Sequence, residues 1–212
     1  MRGDQSPLTA LPITGLILAG GRSSRFGSDK ASAMLLGRPL LQWAVSALEP
    51  VCEALVIVKA LSQQLPALKT TVPTTVVDDE YHEQGPLAGL VTGFGAVKTE
   101  LCFARACDAP ILSVALVEFL AGMAHDTDVV VPNVEGFMQP LTAIYRPSIC
   151  RPPFARLVAL GALKIVPAYG GLRTIVISEE EVRRIDPELR SFRNANRPER
   201  LAEIEALLDS GG

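Results

Sequence analysis

The sequence predicts an α/β fold, a three-layer sandwich in which a mostly parallel β-sheet is covered by helices on both faces. Short apolar runs rich in β-branched residues alternate along the chain with segments whose apolar residues recur at helical spacing, which is typical of that architecture. The chain has 212 residues, of which 48% are hydrophobic, so it can bury a full core. We therefore expect a single domain over residues 13–212, preceded by a loose N-terminal leader over residues 1–12.

The periodicity and the cap residues predict seven strands and at least four helices. The strands are Thr14–Ala19, Ala54–Lys59, Thr74–Val77, Leu101–Ala106, Asp128–Val131, Leu141–Tyr145 and Thr174–Ile177. The helices are Leu40–Leu48, Pro86–Val97, a helix capped by Ser113 that runs towards Met123, and Pro198–Leu208 with Leu201, Ile204, Leu207 and Leu208 on its buried face. Residues 149–171, which are rich in Pro, Ala and Gly, match no pattern that we can assign.

Composition and charge exclude several classes of protein. The net charge of −3 gives no general attraction to nucleic acid or to an anionic membrane. The apolar run Leu11–Gly21 is too short to span a bilayer. The four cysteines form no CxxC pair, and two histidines offer no spacing suited to a zinc site. We expect reduced thiols and a cytoplasmic protein without nucleic-acid or membrane partners.

A glycine-bearing basic loop follows the first predicted strand, in the stretch LILAGGRSSRFGSDK from Leu16 to Lys30. Gly20 and Gly21 let the backbone approach a ligand closely, while Arg25 and Lys30 supply cations suited to phosphate. The loop lies at the carboxyl edge of a parallel sheet, where open α/β folds bind ligands. It matches neither GxxxxGK[ST] nor GxGxxG. The alternative is a glycine turn with solvated charges, and glycines and charges alone do not separate the two interpretations.

A carboxylate is expected at the same edge of the sheet. Asp108 follows the strand Leu101–Ala106, and there it could hold Mg²⁺ against triphosphate oxygens. Alternatively, Asp108 makes an Asx-turn or lies at the start of the segment that leads into the helix after Ser113. Its position beside the glycine loop favours a metal ligand.

Several motifs in order resemble those of the molybdenum cofactor guanylyltransferase family. GLILAGGRSSRFGSDK resembles the family signature LAGGxSxRMGxDK, with Phe26 in place of the usual Met. The stretches GPLAG, CDAP, QPLTAIY and FRNANRPERL, which begin at Gly85, Cys107, Gln139 and Phe192, are similar to its later motifs. The resemblance covers nearly the whole chain. It implies the nucleotide-diphospho-sugar transferase (Rossmann-like) fold and transfer of GMP from GTP to molybdopterin, with release of pyrophosphate and a requirement for Mg²⁺.

The resemblance also assigns residues to roles. It implies catalytic roles for Arg25, Lys30 and Asp108, with Asp108 as the metal ligand. It implies nucleotide binding by Leu18, Ala19, Gly20, Gly21, Lys30, Asp78, Gly85, Pro86 and Leu87, where Asp78 is chosen because it lies seven positions before Gly85. The candidates for binding the acceptor substrate are Gln139, Pro140, Asn194 and Asn196, although Asn196 could equally cap a helix. GTP and molybdopterin are the implied partners, together with transient contact with molybdenum cofactor enzymes or delivery proteins.

Two departures from the family pattern bear on specificity. Lys59 stands where the family usually has an asparagine that contacts the nucleotide, so a different base or stronger phosphate binding is an alternative. Arg197 replaces the threonine that usually precedes Pro198, and arginine cannot cap a helix by accepting from N–H groups.

Two other functions remain open from the sequence. One is a related transferase that uses CTP or makes a nucleotide sugar, although LAGG rather than LAAG favours GTP. The other is a nucleotide-binding regulatory or cofactor-delivery protein without turnover, which the presence of Arg25, Lys30 and Asp108 disfavours.

Overall fold

The computed structural model of the protein, which describes residues 11–20, 29–81, 84–195 and 198–209, contains an eight-stranded sheet. The described strands, in chain order, are β1 (Leu11–Leu18), β2 (Met34–Leu35), β3 (Arg38–Pro39), β4 (Cys52–Lys59), β5 (Thr74–Asp78), β6 (Leu101–Ala106), β7 (Val129–Val134), β8 (Phe137–Met138), β9 (Thr142–Tyr145) and β10 (Thr174–Ile177). Of these, β2 and β3 form a separate two-stranded sheet. The main order is β10-β7-β9-β6-β1-β4-β5, and β8 pairs with β7. Only β8 and β9 run antiparallel to their neighbours in this sheet, so the predicted mostly parallel sheet is confirmed.

Helices cover both faces of this sheet. They are α1 (Leu40–Leu48), α2 (Gly85–Ala96), α3 (Val114–Gly122), α4 (Pro147–Ala159), α5 (Glu179–Arg183) and α6 (Pro198–Asp209). Residues of α1, α3 and α5 pack into one hydrophobic cluster, whereas residues of α2 and α4 pack into a second. Alternating side chains of β1 serve the two clusters, with Ile17 in the first and Leu16 in the second. The three-layer sandwich is thereby confirmed.

Several predicted boundaries are corrected by the structure. β1 begins at Leu11, so Leu11 and Pro12 belong to this strand rather than to the leader, while residues 1–10 lie outside the described part of the chain. The hairpin β2–β3 and strand β8 were not predicted because two-residue strands carry no readable alternation. α4 falls in part on residues 149–171 and contains Pro152 and Pro153, which ordinarily argue against a helix.

Close packing on one face positions α2 beside the end of β1. A Cβ built on Gly93 would overlap the side chain of Leu16, so any larger residue at this crossing would force that buried side chain to move. Gly89, one turn closer to the start of α2, likewise packs on Leu18. The start of α2 is therefore held against the carboxyl end of β1.

A third, smaller hydrophobic cluster anchors the last part of the chain. Ala195, which precedes α6, and Ile204 within α6 are buried with Leu35 and Leu40. Trp43 Nε1 donates to the Leu35 carbonyl at 2.9 Å. The Ala195 N–H also donates to the Asp108 carbonyl at 2.7 Å. These contacts fix the segment before α6 beside the end of β6.

Within the described ranges, none of the helices combines the length and the apolar character that a membrane crossing would require.

Candidate active site

A cleft of about 1130 Å³ opens at the carboxyl ends of β1, β4 and β6. Its lining includes these residues that the sequence predicted for the site: Leu18, Ala19, Gly20, Lys30, Gly85, Pro86, Asp108, Gln139, Pro140 and Asn194. Segments from both halves of the chain therefore meet at one edge of the sheet, as expected for an open α/β fold. Gly21, Arg25 and Asn196, which were also predicted, lie outside the described residues, as do Arg22 and Arg197.

The glycine loop starts on the backbone of the neighbouring strand. The Ala19 and Gly20 N–H groups both donate to the Val58 carbonyl, at 2.8 and 3.3 Å. A Cβ on Gly20 would lie 3.1 Å from the backbone nitrogen of Ala60, so a side chain there would press on the neighbouring loop. This close approach explains the glycine. Because both N–H groups are already bonded, the carbonyl oxygens of Ala19 and Gly20 are the backbone atoms here that could accept from a ligand, and that of Ala19 already accepts from Gln63 Nε2 at 3.0 Å.

Lys30 and Asp108 meet in the cleft. Lys30 Nζ donates to Asp108 Oδ2 at 2.8 Å, and the two side chains are 27% and 13% exposed. Lys30 begins a short 3-10 helix over Lys30–Ser32, which Asp29 caps by accepting from the Ala31 N–H at 3.1 Å. Asp108 lies in the turn after β6. A cation and a carboxylate at this separation are suited to holding a triphosphate and the divalent ion that accompanies it.

A metal would find few protein ligands here. Among the described residues, no group of three or more His, Cys, Asp or Glu side chains is placed to hold an ion. Mg²⁺ usually retains waters and is bound through one or two carboxylates together with substrate phosphates. The carboxylate of Asp108, whose side chain is 13% exposed, fits that mode of binding.

The structure does not bring Asp78 into the cleft lining. Asp78 ends the edge strand β5, is exposed, and pairs with Lys59 Nζ at 2.5 Å. Asp79, one position later, lines the cleft, and its Oδ1 accepts from Thr92 Oγ1 at 2.9 Å and from the Tyr81 N–H at 3.1 Å. The spacing from Gly85 therefore selected Asp78, whereas the carboxylate that lines the cleft belongs to the next residue, Asp79. Through Thr92, the side chain of Asp79 is bonded to α2.

The start of α2 faces the cleft with its backbone. Gly85 has a φ of +74°, and the side chain of the N-cap residue Gln84 makes no capping bond. Free N–H groups at a helix start favour an anion. Leu87, also predicted to bind nucleotide, is fully buried in the core against α4 and β1 and is absent from the cleft lining. The side chain therefore packs in the core, and nucleotide binding at this position stays a prediction.

A hydrogen-bonded turn at Gln139–Thr142 forms another part of the cleft wall. The Thr142 N–H donates to the Gln139 carbonyl at 2.9 Å, and Tyr145 Oη donates to the Pro140 carbonyl at 2.7 Å. Tyr145 Oη also lies 2.7 Å from Tyr169 Oη, and burial raises the pKa of both phenols, so both remain neutral. The Gln139 side-chain nitrogen is directed to the Phe137 carbonyl at 3.2 Å, which leaves its oxygen for other contacts.

Arg105 is a buried residue of this site that the sequence did not reveal. Its side chain is 0% exposed, and its guanidinium donates to the carbonyls of Ala109, Ile111 and Ser191 and to Thr142 Oγ1. Burial lowers its pKa to about 10, opposed by the nearby carboxylates of Asp108 and Asp186, so it stays charged near neutral pH. One side chain thus ties the Asp108 turn to the wall at Thr142. The sequence offered one signal for Arg105, a basic residue within the otherwise apolar strand LCFARA, which directly precedes CDAP.

Comparisons with known proteins agree with this geometry. The family model described as MobA-like NTP transferase domain matches residues 15–181. The chain is 35% identical over 201 residues to the molybdenum cofactor guanylyltransferase of Desulfosudis oleivorans, a match that covers 94% of this chain and 97% of that protein.

Solved structures show the same fold. The molybdopterin-guanine dinucleotide biosynthesis protein A of Archaeoglobus fulgidus superposes with a TM-score of 0.76 and 25% identity, covering 93% of this chain and all of that one. The 2-C-methyl-D-erythritol 4-phosphate cytidylyltransferase of Thermus thermophilus, at 18% identity and a TM-score of 0.69, covers 93% of this chain and 98% of its own and shares the fold alone. The chain is therefore a nucleotidyltransferase and belongs to the molybdenum cofactor guanylyltransferase family of MobA-like NTP transferases.

Proposed function

We propose that this protein transfers GMP from GTP to molybdopterin, releases pyrophosphate and uses Mg²⁺ as its divalent ion. The observation that carries the proposal is the contact of Lys30 with Asp108 at 2.8 Å inside the cleft, between the glycine loop and the wall at Pro140. The relatives named as guanylyltransferases support GTP and molybdopterin as the substrates.

The proposed reaction is an in-line displacement at the α-phosphate of GTP. An ionised phosphate oxygen of the acceptor forms a bond to the α-phosphorus, while the bond from that phosphorus to the bridging oxygen breaks and pyrophosphate leaves with the electron pair. Because a phosphate oxygen is already ionised near neutral pH, no general base is required. Mg²⁺ at Asp108 would neutralise charge on the phosphate oxygens. Lys30, and Arg25 by resemblance, would stabilise the charge that gathers on the leaving group.

The remaining cleft residues are proposed to position the two substrates. We assign the base to the backbone at Leu18–Gly20, where the Leu18 carbonyl already accepts from the Cys107 N–H and the carbonyls of Ala19 and Gly20 would serve as acceptors. We assign phosphate to the start of α2 at Gly85 and Pro86. Asp79 replaces Asp78 as the proposed nucleotide carboxylate, since only Asp79 lines the cleft. We assign Pro140 and Asn194, which line the cleft, to the acceptor side, where Gln139 would contribute its side-chain oxygen. The proposal includes a cytoplasmic location and transient contact with molybdenum cofactor enzymes or delivery proteins.

The test is product formation by the purified protein with GTP, molybdopterin and Mg²⁺. Release of pyrophosphate together with the guanine dinucleotide of molybdopterin, dependent on all three components, is the expected result. Product from CTP but not from GTP would assign the related cytidylyl reaction instead. Tight GTP binding without pyrophosphate release would identify a non-catalytic binding or delivery protein.

A further inference from the structure

The carboxamide of Gln63 joins three separate segments at the mouth of the cleft. Gln63 lies four positions after β4, and its Nε2 donates both to the Ala19 carbonyl at 3.0 Å and to Asp29 Oδ1 at 2.7 Å. Its Oε1 accepts from the Ala60 N–H at 2.9 Å, and its own N–H donates to the Ala60 carbonyl at 2.9 Å. Both N–H groups of the amide and its oxygen are therefore used within the protein.

The two acceptors of Gln63 stand at the two ends of the glycine loop. Ala19 precedes the loop, beside the backbone that the proposed function assigns to the base. Asp29 follows the loop and caps the short helix that carries Lys30, the cation assigned to the triphosphate. One side chain thus connects the base half of the proposed nucleotide site to its phosphate half.

Asp29 depends on this contact. Its Oδ1 accepts from Gln63 and from the Ala31 N–H, while its Oδ2 is buried and accepts from no donor in the part of the chain that the structure describes. A buried carboxylate with an unsatisfied oxygen is already costly, so loss of the strongest remaining donor would favour movement of Asp29 towards water. Lys30, the next residue, would be displaced with it.

We infer that Gln63 is a positioning residue that sets the separation between the base half and the phosphate half of the nucleotide site, an inference that rests on the proposed function. A ligand that spans both halves needs that separation. A ligand that occupies only one half does not. This difference gives the inference a signature that a purely structural contact would lack.

The test compares three ligands in two variants by calorimetry with Mg²⁺. Gln63→Met keeps the length and neutrality of the side chain but removes both donors, and Gln64→Met is its matched control at the adjacent exposed residue. We expect Gln63→Met to weaken GTP binding about tenfold or more. Guanosine and inorganic tripolyphosphate should each bind within about twofold of wild type, as should all three ligands to Gln64→Met.

A second variant distinguishes the connection from local effects. Asp29→Ala removes the other end of the contact, so the double variant with Gln63→Met should lose little more GTP affinity than the worse single variant. Additive losses, unchanged GTP affinity in Gln63→Met, or equal losses for GTP and guanosine would overturn the inference. Failure of the wild-type protein to bind GTP would instead overturn the proposed function, which makes the two failures distinguishable.

Discussion

Lys30 and Asp108 are 78 positions apart in the chain, yet their side chains meet because β1 and β6 are parallel neighbours whose ends share one edge of the sheet. Each charge is partly exposed, so water screens the pair and its contribution to stability is small. A contact of this kind can exchange partners when a triphosphate and its metal enter the cleft. The proposed chemistry of the site would therefore depend on two side chains whose removal should cost the fold little.

Asp108→Asn is expected to reduce turnover at least about a hundredfold while leaving the fold intact, because the amide keeps the volume but loses the charge that binds a divalent ion. Pyrophosphate release at saturating GTP measures the loss, and the thermal midpoint reports on the fold. The matched control is Asp78→Asn, which makes the same change outside the cleft and should retain activity. Wild-type turnover in Asp108→Asn at ordinary Mg²⁺ would refute the metal assignment.

Lys30→Ala should weaken binding of GTP about tenfold or more, since a hydrogen bond to a charged group is worth roughly 1.5–3 kcal/mol. Guanosine, which has no phosphate, should bind nearly as it does to wild type. Calorimetry with both ligands gives the comparison. Lys59→Ala serves as the control because that cation is paired with Asp78 and does not line the cleft. Equal losses for GTP and guanosine would move Lys30 away from the phosphates.

Arg105, a residue of β6, holds together several segments around the cleft. Its guanidinium donates to four acceptors in three segments of the chain. Two are carbonyls in the segment between β6 and α3, one is Thr142 Oγ1 at the start of β9, and one is the Ser191 carbonyl, which precedes Asn194. The Ser191 N–H in turn donates to the buried carboxylate of Asp186 at 2.8 Å. A buried cation is tolerated only when its donors are satisfied, and here they are used to hold the Asp108 turn.

Arg105→Lys keeps the charge but not the planar fork, so it should leave buried acceptors unpaired at roughly 1–3 kcal/mol each. The expected results are a thermal midpoint lower by roughly 2–4 °C per kcal/mol and a higher Mg²⁺ concentration for half-maximal turnover. Arg173→Lys, at a largely exposed arginine near β10, is the control. An unchanged Mg²⁺ requirement in a destabilised Arg105→Lys protein would limit Arg105 to supporting the fold.

The elements that the sequence predicted well are those with a strong local signal. β6 and β10 have the predicted bounds, and Ser113 caps α3 by accepting from the Leu116 N–H. α4 was missed because Pro152 and Pro153 oppose a helix locally, whereas packing of Phe154 and Cys150 against α2 and the sheet stabilises it. Tertiary contacts that overrule local preference cannot be read from a single segment.

In the candidate site, too, residues in local motifs were predicted and residues defined by distant contacts were not. Motif residues such as Gly20, Lys30 and Asp108 were predicted and are brought together in the cleft, although their roles stay predictions. Asp78 was chosen by counting positions, which cannot show that Lys59 pairs with it at the edge of the sheet. Arg105 and Gln63 were missed because their importance lies in contacts with segments distant in the sequence. Spacing locates a motif, but it does not show what holds that motif in place.

The whole molecule offers a readout of which base the cleft accepts, because a ligand that binds only the folded state raises its apparent stability in proportion to ln(1 + [L]/Kd). The Ala19 and Gly20 N–H groups are occupied by the Val58 carbonyl, so the backbone there can contribute acceptors. Guanine presents N–H donors at N1 and N2 to such acceptors, whereas adenine has no hydrogen at N1. Each mismatch of this kind costs roughly 1–3 kcal/mol.

We therefore expect GTP to bind at least about tenfold more tightly than ATP, and to raise the thermal midpoint more than ATP, CTP or UTP does at equal concentration with Mg²⁺. Lys59→Asn should leave this preference unchanged, because Lys59 is paired with Asp78 at 2.5 Å and does not line the cleft. Competition against labelled GTP measures the ratio directly in both proteins. Displacement of GTP by equimolar ATP or CTP would refute guanine selection while leaving the fold and the phosphate site as described. A change of base preference in Lys59→Asn would instead show that Lys59 contributes to base recognition.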